Sequence, residues 1–185
     1  ATSIDRGALG PLGAAERQAE EQKLADDVAA WEAERDAIGR GLDLLLESAN
    51  HWSGPGPQAD TRGIPFEAWS AMNAAMVRVG AGKYDAWRLF QAAFILAMIP
   101  TFASRVPAFH HYYQGEAAQQ ANAVTLLYFA TGGGKSEAFM GLLLFVVLLD
   151  RLRGKERGIS ALMRYPLRLL TLQQARRTMS VLAAG

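Results

Sequence analysis

The chain has 185 residues, enough for one sizeable core or one domain with an arm, and half of them are hydrophobic, which excludes a disordered tail. With no cysteine it excludes disulfides, thiolate chemistry and cysteine zinc sites, as suits a reducing cytoplasm. The net charge of +1 hides a segregation: acids concentrate between Asp5 and Glu47, whereas from Arg151 onward Arg151, Arg153, Lys155, Arg157, Arg164, Arg168, Arg176 and Arg177 face a lone Glu156.

The longest apolar runs, Ala92 to Pro100 and Ala138 to Leu149, fall short of the ~20 residues a membrane span requires. No N-terminal signal pattern is present, so no membrane partner and a cytoplasmic location are expected. The chain starts at Ala1 without a methionine, as expected of a processed or trimmed piece of something longer.

In chain order, residues 14 to about 48 predict one long helix or a helix pair. Leu24, Val28, Trp31, Ile38, Leu42 and Leu45 recur at alternating four- and three-residue steps, interrupted by Arg35. This is a stripe suited to packing on another element, weakened locally by Gly39 and Gly41. Asn50 to Pro65 is dense in Gly and Pro and reads as a loop or linker. Helix is predicted again over Phe66 to Val79 and Tyr84 to Ile99, with Pro100 and Pro107 closing the second. Ser104 to Asn122 reads as irregular. His110 and His111 lie there without nearby carboxylates, a poor metal site.

Beyond residue 122 the pattern reads as strand–helix–strand. Val124 to Phe129 and Ile159 to Arg164 are short apolar runs, joined through a glycine loop (130–135) and a helix (136–152) that is apolar on nearly every face. Such a helix needs cover on several sides, which two strands cannot give, so further sheet outside the chain is expected. A last helix follows from about Arg168 to Ala183.

The most informative stretch is Phe129-Ala-Thr-Gly-Gly-Gly-Lys-Ser136. Strand, glycine loop ending in Lys-Ser, then helix is the context of a nucleotide phosphate-binding loop. Glycines let backbone N–H groups curl around phosphate oxygens at the positive end of a helix, Lys135 reaches the β/γ-phosphates, and the Ser136 hydroxyl is placed to ligate Mg²⁺. Thr131, Gly132, Gly133, Gly134, Lys135 and Ser136 are therefore the candidate ATP-binding residues, with Lys135 as the candidate catalytic residue and Ser136 as the candidate magnesium ligand. Phe129 replaces the first glycine of the usual G-x-x-x-x-G-K-[ST] pattern.

Ala130 to Ser136 resembles the A-x-T-G-x-G-K-[ST] form found in superfamily 2 helicases, shifted only in where the alanine falls, and two further stretches fall where that family keeps motifs. Arg164-Tyr-Pro-Leu-Arg-Leu-Leu-Thr-Leu-Gln173 resembles its P-T-R-x-L-x-x-Q motif, with Leu167 in place of threonine. There the resemblance implies contact with the DNA backbone by Pro166, Arg168 and Gln173, independent of sequence. Trp87-Arg-Leu-Phe-Gln91 resembles the R-P-x-Q element, with Leu89 in place of proline, and implies that Gln91 reads the adenine edge. The wording around residues 129–139 and 162–174 is most similar to the helicase subunit of the DISARM anti-phage defence systems, which implies a bacterial, cytoplasmic, DNA-directed motor working with partner subunits.

The resemblance covers roughly 84–184, and residues 1–80 share none of it; with the patterning of the earlier residues it divides the chain into four regions. These are an acidic helical arm (1–50), a Gly/Pro-rich linker (51–65), a helical region with the adenine-site-like element (66–122) and the first part of a RecA-like, parallel-sheet α/β ATPase domain (123–185). No Asp-Glu box follows the loop. Val146 to Asp150 imitates one but lies on the connecting helix, so these residues alone are expected not to hydrolyse ATP. Two other readings stay open: a P-loop NTPase of another class that does not act on nucleic acid, and a non-enzymatic interaction module with a degenerate phosphate loop.

Overall fold

A computed structural model describes residues 13–80, 86–113, 125–128, 133–164 and 168–185, with side chains in the last stretch from residue 172. The chain divides into two units, Ala1–Asp36 and Ala37–Gly185. Five α-helices are described: α1 (Ala14–Ala49), α2 (Ile64–Gly80), α3 (Leu89–Ala103), α4 (Lys135–Leu152) and α5 (Arg168–Ala184). Short 3₁₀ segments run over Thr61–Gly63 and Pro107–Tyr113. No described helix is long and apolar enough to cross a membrane.

In the first unit, α1 opens with Glu16 accepting the Gly13 N–H at 2.9 Å, a carboxylate at the positive end of the helix. None of its residues from 14 to 36 is buried.

In the second unit the core is helix on helix. Helix α4 buries Met140, Leu144, Phe145 and Leu149 against α2, α3 and α5, joined by Met72 and Ala75 of α2, Ile95 and Ile99 of α3, and Val181 of α5. The parallel-sheet α/β expectation is therefore overturned, and with it the RecA-like P-loop domain: no strand occurs among the described residues. Residues 125–128 and 159–164 make no ladder, and Leu126, Tyr128, Ile159 and Leu162 are more than three-quarters exposed. The reason is physical. An apolar run becomes a strand only when a neighbouring strand takes up its N–H and C=O groups. The demand of α4 for cover on several sides is met here by three helices.

One detail corrects the reading of the helical region. Pro100 does not close α3 but lies inside it. Proline has no N–H for the carbonyl four residues back, so the Leu96 carbonyl is left without its helical donor. Gly41 of α1 packs on that carbonyl so closely that a Cβ at position 41 would stand 1.9 Å from the Leu96 oxygen. Two turns further, fully buried Ser48 donates to the Arg62 carbonyl at 2.6 Å and accepts from Phe66 N–H at 2.9 Å. The Gly/Pro-rich segment, for its part, is an ordered loop. Gly54 and Gly56 turn it at positive φ (106° and 111°), and buried Glu67 anchors it by accepting from Trp52 Nε1 (2.6 Å) and Gly56 N–H (2.8 Å).

Candidate functional site at the head of α4

Arg88 caps α3 in an extended conformation, and Gln91, three residues on, reaches back so that its Oε1 accepts the Arg88 N–H at 2.9 Å. That bond fixes the amide and turns Nε2 outward, where it donates to the Gly134 carbonyl at 2.7 Å. The Arg88 guanidinium donates to the Gly133 carbonyl at 2.8 Å. Two adjacent carbonyls of the glycine loop are thus clamped by one helix start.

Gly134 is the N-cap of α4 with φ 93° and ψ 25°, left-handed backbone that favours glycine. A Cβ there would also stand 2.7 Å from Gln91 Nε2, so the position needs glycine for two separate reasons. Lys135 and Ser136 follow in the first helical turn, both half-buried. Glu137, in the same turn, pairs with Arg177 of α5. The first turn carries backbone N–H groups that a helix cannot satisfy internally. Helix end, lysine and hydroxyl together form a donor set suited to phosphate oxygens and a hard cation. The carboxylate of Glu137 opposes that field, and Arg177 offsets it.

Beside this head lies a cavity of about 140 Å³ walled by Trp87 and Met76, with Asn73, Gln91 and Glu137 supplying polar atoms. Trp87 Nε1 donates to Asn73 Oδ1 at 2.6 Å, and Asn73 Nδ2 in turn donates to the Trp69 carbonyl at 2.8 Å. The indole lies against α4 at Gly141, where a Cβ would meet it at 2.6 Å. A glycine inside a helix costs about 1 kcal/mol against alanine; here it admits the indole. A second cavity of about 270 Å³ shares Met76 and Glu137 and is lined further by Arg177, Met140 and Val181.

The structure brings Gln91, Gly133, Gly134, Lys135 and Ser136 to one place. Both ends of the Gln91 amide are engaged with backbone, and the residue is buried. Thr131, Gly132 and Pro166 lie outside the described residues, Arg168 is described only as the start of α5, and Gln173 is exposed on α5. Asn73 and the Glu137–Arg177 pair are contributors that sequence reasoning missed. Trp87 and Arg88 carried a signal as neighbours of Gln91 in the R-P-x-Q-like element, though not the contacts that they make here.

Asp150 closes the opposite end of α4. Burial alone would raise its pKa, but hydrogen bonds from Lys155, Arg153 and Ser160 prevail and hold it well below the carboxylate range. Arg153 Nε and Lys155 Nζ each lie 2.8 Å from its oxygens, and Arg105 stands at 3.5 Å. Among the described residues no three His, Asp or Glu side chains group as metal ligands.

No family model matches the chain, and no solved structure does. Among curated proteins it is similar to the DISARM protein DrmA of Bacillus paralicheniformis, 35% identical over 105 residues. The match takes in 53% of this chain but only 8% of that protein's length. The chain is thus a partial relative of a DISARM protein.

Proposed function

We propose that the chain is the phosphate-holding segment of an ATP-dependent DNA helicase or translocase acting in DISARM anti-phage defence. The observation that carries this reading is the head of α4: a left-handed Gly134 cap, Lys135 and Ser136 in the first turn, and the loop clamped by Arg88 and Gln91. In this reading the Lys135 ammonium and the backbone of residues 131–135 hold the phosphates, and the Ser136 hydroxyl holds Mg²⁺. ATP, when bound, supplies the free energy that a motor converts to movement. Arg177 keeps the Glu137 carboxylate from repelling an anion at the helix head. Arg168 at the start of α5, with Pro166 and Gln173, serves the DNA backbone. The partial likeness to DrmA supports the defence assignment and work alongside partner subunits.

The test is ATP hydrolysis by the full-length protein with and without DNA, beside Lys135→Ala. We expect DNA-stimulated hydrolysis, and a loss of about 100-fold in the variant, the scale on which removing one charge-stabilising donor acts. Hydrolysis indifferent to DNA moves the assignment to another NTPase class. The absence of a strand among the described residues favours a second reading, an interaction module with a degenerate loop. That reading predicts no hydrolysis with or without Lys135.

A further inference from the structure

In the first unit, α1 carries a stripe that the described residues leave open. Leu24, Val28 and Trp31 follow at i, i+4 and i+7, the spacing of anchors on one helix face. Trp31 is 62% exposed and Val28 40%. The borders of the stripe are acidic on both sides. Glu20, Asp27 and Glu34 recur at seven-residue steps along one edge, and Glu32 with Asp36 stands along the other. Arg35 sits on the stripe itself, tied to Asp36 at 2.9 Å.

We infer that residues 20–36 of α1 are a docking helix for a basic amphipathic helix of a partner protein, with Trp31 as the central anchor. The occupant follows from charge. Residues 14–36 hold eight carboxylates against Arg17, Lys23 and Arg35. A second copy would set like-charged edges against each other and bring Arg35 against Arg35 in a parallel pair. Nucleic acid and anionic lipid surfaces are repelled by the same carboxylates. A helix with an apolar seam flanked by lysines satisfies both the stripe and its borders, because flanking charges select partner and orientation in helix pairs. Tryptophan is the residue most often found to dominate such interfaces.

The probe is a synthetic peptide about four heptads long, with leucine in the seam and lysine at the flanking positions, titrated against the whole chain by fluorescence anisotropy. A matched peptide with glutamate flanks is the control. The lysine peptide is expected to bind at least about tenfold more tightly than the glutamate peptide, with affinity falling as salt rises. Trp31→Ala is expected to weaken it about tenfold or more. Replacing Glu20, Asp27 and Glu34 together by lysine is expected to reverse the preference between the two peptides. All these positions are exposed, so circular dichroism should show an unchanged fold. Equal binding of both peptides, no binding of either, or an unreversed preference overturns the inference. So does self-association in sedimentation that Trp31→Ala abolishes, which would make a second copy the occupant.

Discussion

Two glycines two residues apart in α1 behave oppositely at the scale of single atoms. A Cβ at Gly39 meets nothing within 4 Å, whereas at Gly41 it would stand 1.9 Å from the Leu96 oxygen and 2.7 Å from its carbon. Glycine inside a helix gives up about 1 kcal/mol of propensity relative to alanine. Gly39→Ala should therefore raise stability by about 1 kcal/mol in denaturant unfolding. Gly41→Ala should lower it by about 2–3 kcal/mol, because a clash with backbone is relieved only by parting the two helices. Equal effects of the two changes would mean that the close approach at Leu96 is not real.

Tyr112 makes a pH-dependent contribution. Burial, then a hydrogen bond to Glu47 at 2.8 Å, push its phenol from 10.0 up to about 12. The folded state therefore binds the phenolic proton more tightly than the unfolded one. The stabilisation is complete below pH 10 and is lost as pH rises from 10 to 12. Tyr112→Phe should flatten this alkaline decline, measured as melting temperature against pH, relative to the parent protein. An identical decline in both would remove Tyr112 from the account.

At the scale of elements, the head of α4 is tied to α3 by Arg88 and Gln91, and to α5 by Glu137 and Arg177. The Glu137 side chain is 13% exposed and Arg177 39%, so the pair is neither a surface bridge nor fully dry. Removing Arg177 leaves a largely buried carboxylate without its cation, which costs more than replacing Glu137 by its neutral amide. A double-mutant cycle with Glu137→Gln and Arg177→Met should give a coupling of about 1–2 kcal/mol. A coupling indistinguishable from zero would show that α5 is held to α4 by its other contacts, Val181 packing and Thr178 on Met140 among them.

Across the whole molecule, helices were the legible part. The stretch read as helix from Phe66 to Val79 is found as Ile64–Gly80, and the one read as 136–152 as Lys135–Leu152. Their periodicity and capping glycines are local, and local signals survive in a single sequence. The two expected strands were not legible, because short apolar runs do not say whether a neighbouring strand exists to pair with them. Val124 to Phe129 and Ile159 to Arg164 looked alike to strand and loop until their surroundings were known. Within the candidate site, the Gly134 to Ser136 run was plain from residue types alone. Its clamp was only half so: Gln91 was singled out for a base edge, and its bond to Gly134 depends on an approach across 43 residues. Pro100 misled for a related reason. It reads as a stop unless one knows that the orphaned carbonyl it creates is where another helix lies.

Gly41 and Ser48 stand seven residues apart on α1, each fitted to a different partner: one to a bare carbonyl, the other to the start of α2. Seven residues make nearly two full turns, so both fit on the same side of the helix. Adding or deleting one residue between them would swing one fitting away by about 100° and shift it by about 1.5 Å along the axis. Substitutions at the exposed positions Leu42, Asp43 and Leu46 can be absorbed in place, but a change in length cannot. In this stretch the spacing is itself a specified quantity, as binding as the identity of any residue in it.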